Sequence, residues 1–410
     1  MAKALAVDGG EPAVTEPIPD WPVWDDRELD ALEDVLASGD WGVGGDRTDA
    51  FASEFASRHG AEHGVTVTSG TTALRVALDA AGVEPGDEVI VPPYTFVATA
   101  SAVLEVGAVP VFADIEPDSL CLDPAAVADQ ITDRTAAVIP VHLGGRPADL
   151  HGLQAVCADD DVTIVEDCAQ AHGTWLDGEA VGTIGDIGCF SFQTSKNLAA
   201  GEGGLLVTDD EELYTRAWSR MNVGRVPDGD WYEHPVLGSN FRMTEFQAAV
   251  LQIQLERMDD QLEHRAEAAA HLDAGLAEVP GITPAPEHPD TTQRGYHLYI
   301  VQYDRDVLAG IDKPTFLEAV RAEGIPISGG YGPLYQEELF TEIETRAPDV
   351  VELAEEIPDY DAVSCPVTEH AATVTGWLPQ SVLLGDEALL DQIVEGFATV
   401  ADRVDELTPT

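Results

Sequence analysis

The sequence predicts an α/β fold, in which a mostly parallel seven-stranded sheet forms a large domain and a smaller α+β domain follows it. Short apolar runs bounded by Gly, Pro and Asp recur between residues 65 and 208, with helical patterns between several of them. Strands that alternate with helices are typical of parallel sheets covered by helices. The length of 410 residues and the hydrophobic content of 44% allow a sizeable core and favour two domains over one.

Seven apolar runs predict the strands of the large sheet, at 65–68, 88–91, 109–113, 136–141, 163–165, 188–192 and 205–208. Their short, continuous apolar character indicates strands that are buried on both faces. Helical patterns at 71–81, 95–106 and 147–158 lie between several of these strands. The last two runs are joined only by a Gly-rich loop that is too short for a helical crossover, so we expect that pair to be antiparallel.

The second half of the chain predicts a long helix followed by a small domain. Apolar residues at 251, 255, 258 and 262 recur at helical spacing within 243–278, which we interpret as one helix that links two domains. Beyond Pro280 the pattern predicts a strand at 296–303 and helices at 313–323 and 386–406. The predicted organisation is an N-terminal segment 1–25, a large domain 26–255 and a small domain 256–410.

The chain carries a formal net charge of −56, with 76 acidic and 20 basic residues spread along its length. This negative field disfavours binding to nucleic acid. Because salt screens such repulsion within a Debye length of about 3 Å at 1 M, we expect a halophilic protein from a salt-rich cytoplasm, with an ordinary acidic mesophilic protein as the alternative. No apolar run approaches a membrane span and none near the N-terminus is long enough for a secretory signal, so we predict a cytoplasmic protein without membrane association.

The five cysteines are scattered along the chain and odd in number. None belongs to a CxxC pair or has a histidine at metal-ligand spacing, so we predict small core residues and no metal site. An odd, scattered set also fits a reducing compartment better than a disulfide framework. These residues are Cys121, Cys157, Cys168, Cys189 and Cys365.

Lysine is the most informative residue type, because the chain contains only Lys3, Lys196 and Lys313. Lys3 in the terminal segment and Lys313 before Pro314 at a predicted helix start have ordinary surface interpretations. Lys196 instead lies just beyond a buried strand, where α/β proteins bind their ligands. A partly desolvated lysine amine can form an imine with a carbonyl cofactor. The alternative is a lysine that reaches from a loop into solvent.

Three other strand ends favour a cofactor site near Lys196. Asp167 ends an apolar strand, and a buried carboxylate requires a cationic partner such as a protonated pyridine nitrogen. The small residues at 69–72 lead from a strand into a helix, where N–H and hydroxyl groups can bind phosphate. Tyr94 and Phe96 follow another strand and offer rings that can lie over a flat heterocycle. Taken singly, the first two features are explained by helix capping and the third by core packing.

Together these segments resemble the fold type I enzymes that depend on pyridoxal 5′-phosphate (PLP), and more closely the sugar aminotransferases of the DegT/DnrJ/StrS family. The resemblance extends over a long part of the chain, and it is weaker in the C-terminal domain. It rests on Gly-Gly-Glu-Pro at 9–12, Ser-Gly-Thr at 69–71, Gly-Asp-Glu-Val-Ile-Val-Pro at 86–92, Asp167 and Gln170, Ser-Phe-Gln-Thr-Ser-Lys at 191–196, Gly-Glu-Gly-Gly at 201–204, Asn-Phe-Arg-Met-Thr-Glu at 240–245, His-Leu-Tyr at 297–299 and Tyr-Gly-Pro-Leu-Tyr at 331–335.

The resemblance implies a role for each residue of the site. Lys196 would form the Schiff base with PLP, Asp167 would pair with the pyridine nitrogen, and Gln170 would lie near the ring hydroxyl. Phe96 would stack on the ring, and Asn240 of the partner subunit would contact the phosphate in a homodimer with shared active sites. The implied cofactor residues are Gly70, Thr71, Thr72, Phe96, Asp167, Gln170, Ser191, Lys196 and Asn240, and the implied substrate residues are Tyr94, His297 and Tyr331.

The reaction implied is transamination, in which glutamate or glutamine donates an amino group to a nucleotide-linked keto-sugar or a keto-cyclitol. Lys196 would act as the general base. Gln193 resembles the branch that acts on keto-cyclitols, whereas nucleotide-sugar members more often carry His there. The alternatives are a PLP-dependent dehydratase or aromatizing synthase of the same fold, and a non-catalytic PLP-fold binding protein. Arg220, Arg225 and Arg242 all stay open as ligands of the donor carboxylate.

Overall fold

The computed structural model describes residues 4–158, 162–227 and 229–407. Its strands are β1 (His63–Val67), β2 (Glu88–Val91), β3 (Val109–Phe112), β4 (Thr135–Val138), β5 (Thr163–Asp167), β6 (Trp175–Leu176), β7 (Glu179–Ala180), β8 (Ile187–Ser191), β9 (Gly204–Thr208), β10 (Ile282–Pro284), β11 (Thr291–Gln293), β12 (Leu298–Tyr303) and β13 (Thr375–Pro379). The main sheet contains seven strands in the order β1-β9-β8-β5-β4-β2-β3. Two three-stranded sheets have the orders β10-β12-β13 and β11-β6-β7.

The predicted fold class is confirmed, because five neighbouring strands of the main sheet, β3, β2, β4, β5 and β8, run parallel. β9 is antiparallel to both β8 and β1, as expected for the pair joined by the Gly-rich loop. The carboxyl ends of β1, β2, β5 and β8 therefore lie together at one edge of the sheet. Ligands of open α/β sheets bind at this edge, outside the carboxyl ends of the strands.

The helices cover the sheet and build the small domain. They are α1 (Asp26–Ser38), α2 (Arg47–His59), α3 (Gly70–Ala81), α4 (Ala98–Glu105), α5 (Pro124–Ala128), α6 (Leu150–Cys157), α7 (Glu211–Met221), α8 (Glu245–Glu256), α9 (Met258–Leu276), α10 (Lys313–Ala322), α11 (Glu338–Thr341), α12 (Ile343–Arg346), α13 (Pro348–Leu353), α14 (Pro366–Val374) and α15 (Glu387–Asp402). Among the described residues, every helix is too short or too polar to traverse a lipid bilayer.

The single helix predicted for 243–278 is wrong, since α8 ends at Glu256 and α9 begins at Met258. Arg257 lies between them, and its guanidinium forms ion pairs with Asp25 at 2.8 Å, the N-cap of α1, and with Glu28 in the first turn of α1. The apolar stripe continues through the junction, so periodicity alone could not reveal the break. The break depends on residues more than 200 positions earlier in the chain.

Two hydrophobic cores cross the predicted domain boundaries. The core beneath the main sheet also contains residues from 334 to 365, including Leu334, Phe340 and Tyr360. The core of the small domain contains Leu5 and Val14 from the N-terminal segment, packed with residues of α9, α10 and α15. The C-terminal part of the chain thus returns to the large domain near the edge where β2 ends. All five cysteines are buried and free.

Candidate active site

A cavity of about 570 Å³ opens where β1, β2, β5 and β8 end. The structure brings nine of the predicted site residues to its wall, namely Gly70, Thr71, Phe96, Asp167, Gln170, Ser191, Lys196, His297 and Tyr331. The first seven follow or end strands of the main sheet, and the last two come from the C-terminal part of the chain. Thr72, Tyr94 and Asn240 are placed outside this wall.

Lys196 lies five residues beyond β8, in a turn closed by the hydrogen bond from its own N–H to the Gln193 carbonyl at 2.8 Å. Its amine lies inside the protein, and burial lowers its pKa from 10.5 to about 8, against the opposing effect of the Asp167 charge. A lysine with such a pKa is largely deprotonated at mildly alkaline pH and can act as a nucleophile or base. Of the other lysines, Lys3 lies outside the described residues.

Lys313 begins α10 as predicted, but its amine does not lie at the surface. Its Nζ donates to the Ala372 carbonyl at 2.7 Å and to the Gly329 carbonyl, two residues before Tyr331. Burial lowers its pKa to about 8. The ordinary surface interpretation of Lys313 is therefore wrong, and this lysine anchors the loop that carries Tyr331.

Asp167 is the last residue of β5 and is buried at the floor of the cavity. Its Oδ2 accepts a hydrogen bond from Thr99 Oγ1 at 2.8 Å, and its Oδ1 accepts from the Ala169 N–H at 3.1 Å. No ion pair with Asp167 is found in the described part of the chain. Burial raises the pKa of this carboxyl. A buried carboxylate without a cation is suited to receive one from a ligand.

Gln170 follows Asp167 and is oriented by the backbone. The Gly144 N–H donates to its Oε1 at 2.8 Å, which leaves the amide Nε2 as the hydrogen-bond donor that faces the cavity. Nε2 lies 3.4 Å from the Tyr331 hydroxyl. Gln170 can therefore donate a hydrogen bond to an oxygen atom of a bound ligand.

The N-terminus of α3 forms the part of the wall that is suited to an anion. Ser69 caps the helix, since its Oγ accepts from the Thr72 N–H at 3.1 Å, while the N–H groups of Gly70 and Thr71 have no partner within the helix. A Cβ on Gly70 would lie 2.6 Å from Ser191 Cβ, so the backbone approaches the end of β8 closely. Thr72 Oγ1 instead bonds to Thr68 and Ser69, away from the wall.

Aromatic side chains form the side of the cavity. Phe96 is 55% exposed there, with its ring centroid 6.3 Å from that of Tyr331. Tyr94 is only 1% exposed, and its hydroxyl is bonded to Thr375 Oγ1 at 2.7 Å. Tyr94 and Trp377 pack edge-on against Tyr331 from behind. Tyr94 thus supports the wall instead of facing a ligand.

His297 presents an acceptor to the cavity. Asn197 Nδ2 donates to the Gly295 carbonyl, so its Oδ1 is free to accept from His297 Nδ1 at 3.3 Å. This tautomer leaves Nε2 with a lone pair. Burial, together with the nearby Lys196 charge, lowers the pKa of His297 well below its ordinary value, so the ring is neutral.

Several further residues line the site that the sequence did not assign to it, although Gln193 among them was already singled out by the resemblance. Thr95, Thr99, Gln193, Ser195 and Glu202 line the cavity as well. The signal for Thr99, in the first turn of α4, is its position four residues after Thr95, which precedes that helix; the two hydroxyls lie 3.1 Å apart. Gln193 Oε1 accepts from the Ser195 N–H and hydroxyl, which leaves the amide Nε2 of Gln193 as the group that can donate to a ligand.

A buried histidine–glutamate pair supports the site from beneath. The Ala148 N–H donates to His142 Nδ1 at 3.1 Å, so His142 Nε2 carries a hydrogen and donates to Glu166 Oε2 at 2.9 Å. The Glu166 carboxylate also accepts from three N–H groups of the 182–185 turn. Although Cys168 is nearby, His142 has no lone pair left for a metal ion.

The combination of these groups fits one kind of ligand. A lysine amine of lowered pKa can condense with an aldehyde, a buried carboxylate can hold a protonated ring nitrogen, and helix N–H groups can hold a phosphate. Phe96 and Ala169 line the wall between them and leave room for a flat ring. The residues therefore fit a phosphorylated pyridine aldehyde.

Comparisons with known proteins agree with this assignment. The sequence model of the DegT/DnrJ/EryC1/StrS aminotransferase family matches residues 22–395. The chain is 41% identical over 414 residues to L-glutamine:2-deoxy-scyllo-inosose aminotransferase of Micromonospora echinospora, and the match covers 97% of each protein. It is 37% identical over 388 residues to 3-amino-5-hydroxybenzoate synthase of Amycolatopsis mediterranei, covering 94% of this chain and 97% of that protein. The crystal structure of a 3-amino-5-hydroxybenzoic acid synthase matches with a TM-score of 0.85 and 35% identity, over 94% of this chain and 99% of the other.

Proposed function

The chain belongs to the DegT/DnrJ/EryC1/StrS aminotransferase family, and from that premise we propose that it transfers the amino group of L-glutamine to a keto-cyclitol. Its cofactor is PLP. The observation that carries the proposal is the burial of the Lys196 amine and the Asp167 carboxylate in one cavity, each without a protein partner of opposite charge in hydrogen-bond contact within the described chain.

The residues divide the chemistry between them. When bound, PLP withdraws electrons from the carbon next to the amino group, which makes the proton on that carbon removable. Lys196 Nζ accepts this proton from the donor and later returns one to the acceptor carbon that becomes the amine-bearing carbon. Asp167 holds a proton on the ring nitrogen, and Thr99 orients Asp167 through their 2.8 Å hydrogen bond. Gln170 donates to an oxygen of the ring, and Gly70 and Thr71 bind the phosphate.

The choice of a keto-cyclitol over a nucleotide-linked keto-sugar is supported by the wall of the cavity. Polar, uncharged groups that can bind hydroxyls lie there, including Gln193, Ser195, His297 and Tyr331. Lys196 is the single Lys or Arg among the described residues that line it, and a nucleotide diphosphate would require cations. The relative that is 41% identical takes 2-deoxy-scyllo-inosose, a keto-cyclitol, according to its name.

A second candidate function is an aromatizing synthase, which is favoured by the 37% identity to 3-amino-5-hydroxybenzoate synthase. The two reactions can be separated by mass balance with purified protein, PLP, L-glutamine and a keto-cyclitol. The aminotransferase should form one amino-cyclitol for each glutamine converted to its 2-oxo acid. Product that loses water and becomes aromatic without consuming glutamine would replace the proposal with the second candidate.

The rate at which the apoenzyme binds PLP should depend on pH, with a midpoint set by the pKa of Lys196. Only the neutral amine attacks the aldehyde, so the rate at which apoenzyme gains the visible absorbance of bound PLP should rise through pH 8 and then level off. The Asp167 charge raises the pKa of Lys196, so Asp167→Asn should move this midpoint to lower pH. Stopped-flow absorbance at constant salt checks both effects. A midpoint near the ordinary value of 10.5 would show that the amine is exposed to water.

We further propose that the protein is a homodimer, as the family resemblance implies, and that it works in a salt-rich cytoplasm, which the net charge of −56 and the five free, buried cysteines support. Raising KCl from about 0.1 M to about 2 M shortens the Debye length from about 10 Å to below about 3 Å. We expect the Tm to rise by roughly 5–10 °C as a result, corresponding to about 4–9 kcal/mol for a chain of 410 residues. Calorimetry measures this, with a non-ionic osmolyte at equal osmolality as the control. A Tm that does not change with KCl, or that rises equally with the osmolyte, would exclude charge screening as the source of stabilisation.

A further inference from the structure

The turn that carries Lys196 is held by few hydrogen bonds. Residues 193–196 are half-buried or exposed, although the Lys196 amine lies inside the protein. Thr194 bonds to the Gly201 carbonyl through its N–H at 3.1 Å and through its hydroxyl at 3.2 Å. Among the hydrogen bonds of the described residues, a single one joins the turn to a distant segment, from Trp21 Nε1 to the Thr194 carbonyl at 2.8 Å. The position of the turn therefore depends on Trp21.

The N-terminal segment that contains Trp21 is fixed on both sides of this residue. Before it, the Thr15 N–H donates to Gln392 Oε1 in α15 at 2.7 Å. After it, Gln254 Nε2 in α8 donates to the Val23 carbonyl at 2.8 Å. A segment that is already held at two places loses little further conformational freedom when its indole N–H binds a carbonyl.

A buried cation lies against the Trp21 ring. Arg265 in α9 is fully buried, and its Cζ lies 5.3 Å from the centroid of that ring. Its Nε donates to Gln380 Oε1 at 3.0 Å and its Nη2 donates to the same oxygen, whereas no described residue accepts a hydrogen bond from Nη1. Arg265 also forms no ion pair within the described part of the chain. Burial lowers its pKa to about 9.

The Trp21 ring compensates for part of the cost of burying this charge. A guanidinium removed from water without a carboxylate partner is unfavourable. The face of an indole attracts a cation more strongly than the other aromatic rings do, and the attraction is larger where water is excluded. Tryptophan also has an N–H donor at the edge of the ring. One side chain can thus bind the Arg265 guanidinium by its face and the Thr194 carbonyl by its edge.

Arg265 lies close enough to the cavity to affect its residues. Burial is the main cause of the lowered pKa of His297 on the cavity wall, and the charge of Arg265 contributes to it. Its partner Gln380 directly follows β13, which carries the Trp377 ring that packs against Tyr331 at 4.7 Å. A continuous set of contacts therefore leads from the small domain, through Arg265 and the Trp21 ring, to the turn of the lysine.

We propose that Trp21 and Arg265 are positioning residues, and that the indole, held by the guanidinium, fixes the Thr194 carbonyl and with it the place of the Lys196 amine. This inference rests on the proposed function for the reaction in which Lys196 takes part, and it deepens that function by naming the residues that hold the lysine. Neither residue is among the described residues that line the cavity. Both act through the turn, two residues before Lys196.

The first test observes the Lys196 amine without turnover. The rate at which the apoenzyme binds PLP is measured in high salt from about pH 6 to about pH 10. Trp21→Phe keeps a ring beside Arg265 but removes the N–H, so the turn becomes freer and the amine gains access to water. Because water stabilises the charged amine, the midpoint of the pH profile should rise by about 0.5–1 pH unit relative to wild type.

Trp24→Phe is the matched control for this measurement. It makes the same change in the same segment, at a ring that is 63% exposed, and should leave the midpoint in place. A loss of packing alone would lower the Tm of Trp21→Phe without moving the midpoint. A Trp21→Phe variant that keeps the wild-type midpoint overturns the inference, whatever its Tm.

The second test asks whether Arg265 acts through Trp21. With PLP-loaded enzyme, the loss of the visible band on adding L-glutamine should be about 10-fold slower in Trp21→Phe and in Arg265→Met. The glutamine concentration for half-maximal rate should not change, since the base is misplaced and the donor is not. Arg265→Lys keeps a cation beside the ring and should restore most of the rate.

The double variant Trp21→Phe/Arg265→Met separates a shared role from two independent roles. If both residues hold the same turn, its loss should be close to that of either single variant. Losses that multiply to about 100-fold, or an Arg265→Lys variant as slow as Arg265→Met, would overturn the role of the Arg265 charge. The Trp21→Phe midpoint alone decides the inference if the methionine variant does not fold.

The outcomes separate the inference from the function beneath it. A wild-type band that does not respond to L-glutamine overturns the proposed function, but the binding of PLP requires no donor and its midpoint still tests Trp21. A wild-type enzyme that responds, while Trp21→Phe matches it in both midpoint and rate, leaves the function in place and overturns the inference.

Discussion

The Lys196→Ala variant is expected to fold normally and to lose turnover by a factor of about 10⁴. Lys196 is the single lysine on the wall of the cavity in the described chain, and burial lowers its pKa to about 8. His297 on the same wall is a poor substitute as a base, because burial holds its pKa well below the ordinary value. Steady-state formation of the amino-cyclitol and of the 2-oxo acid, in high salt, measures the loss.

Two further variants make this result specific. Lys196→Arg keeps a positive charge but has neither a nucleophilic amine nor an accessible neutral form, so it should be as inactive as the alanine variant. Arg346→Ala is the control, since it removes one cation from exposed ion pairs with Glu338 and Glu342 and should leave turnover unchanged. Turnover within about tenfold of wild type in Lys196→Ala would refute the role of this residue as the general base.

Replacing Asp167 by asparagine should lower kcat/KM by about 10²- to 10³-fold. The carboxylate ends β5, is buried, and among the described residues has only Thr99 and the Ala169 N–H as hydrogen-bond partners. Asparagine keeps the size and one acceptor oxygen but lacks the negative charge that holds a proton on the ring nitrogen. Without that proton the cofactor is a weaker electron sink, so the proton on the donor carbon is harder to remove.

The Asp167→Asn result is read from two measurements. Single-turnover loss of the visible band with L-glutamine reports the chemical step, and titration with PLP reports whether the cofactor still binds. Asp259→Asn removes one negative charge from an exposed ion pair with Arg58 and should match wild type in both. A variant at Asp167 that binds PLP and reacts at the wild-type rate would show that its charge does not control the ring.

Much of the site was predictable because its residues lie at strand ends. Lys196, Asp167, Gln170 and Ser191 each follow or end a strand, and the parallel order brings those ends to one edge of the sheet. The scarcity of lysine then distinguished Lys196 from residues with an ordinary role. For these residues, position in the chain and residue type together carry the information.

Other positions could not be predicted, because a distant partner decides what the side chain does. Tyr94 follows a strand as Phe96 does, yet Thr375 binds its hydroxyl and removes it from the cavity. Lys313 begins a helix as expected, but two backbone carbonyls draw its amine inward. The local sequence pattern does not reveal these contacts, because they join residues that are far apart in the sequence.

Local periodicity and residue type at strand ends were enough to predict the α/β class, the seven strands, and the lysine and aspartate on which a PLP site depends. Contacts formed on folding set where the helix at 243–278 breaks and pair Arg220 with Asp79, while Arg225 and Arg242 have no ion pair among the described residues. Charges act through space, so the state of Arg220, Arg225 and Arg242 depends on the neighbours that folding supplies and not on their neighbours in the chain.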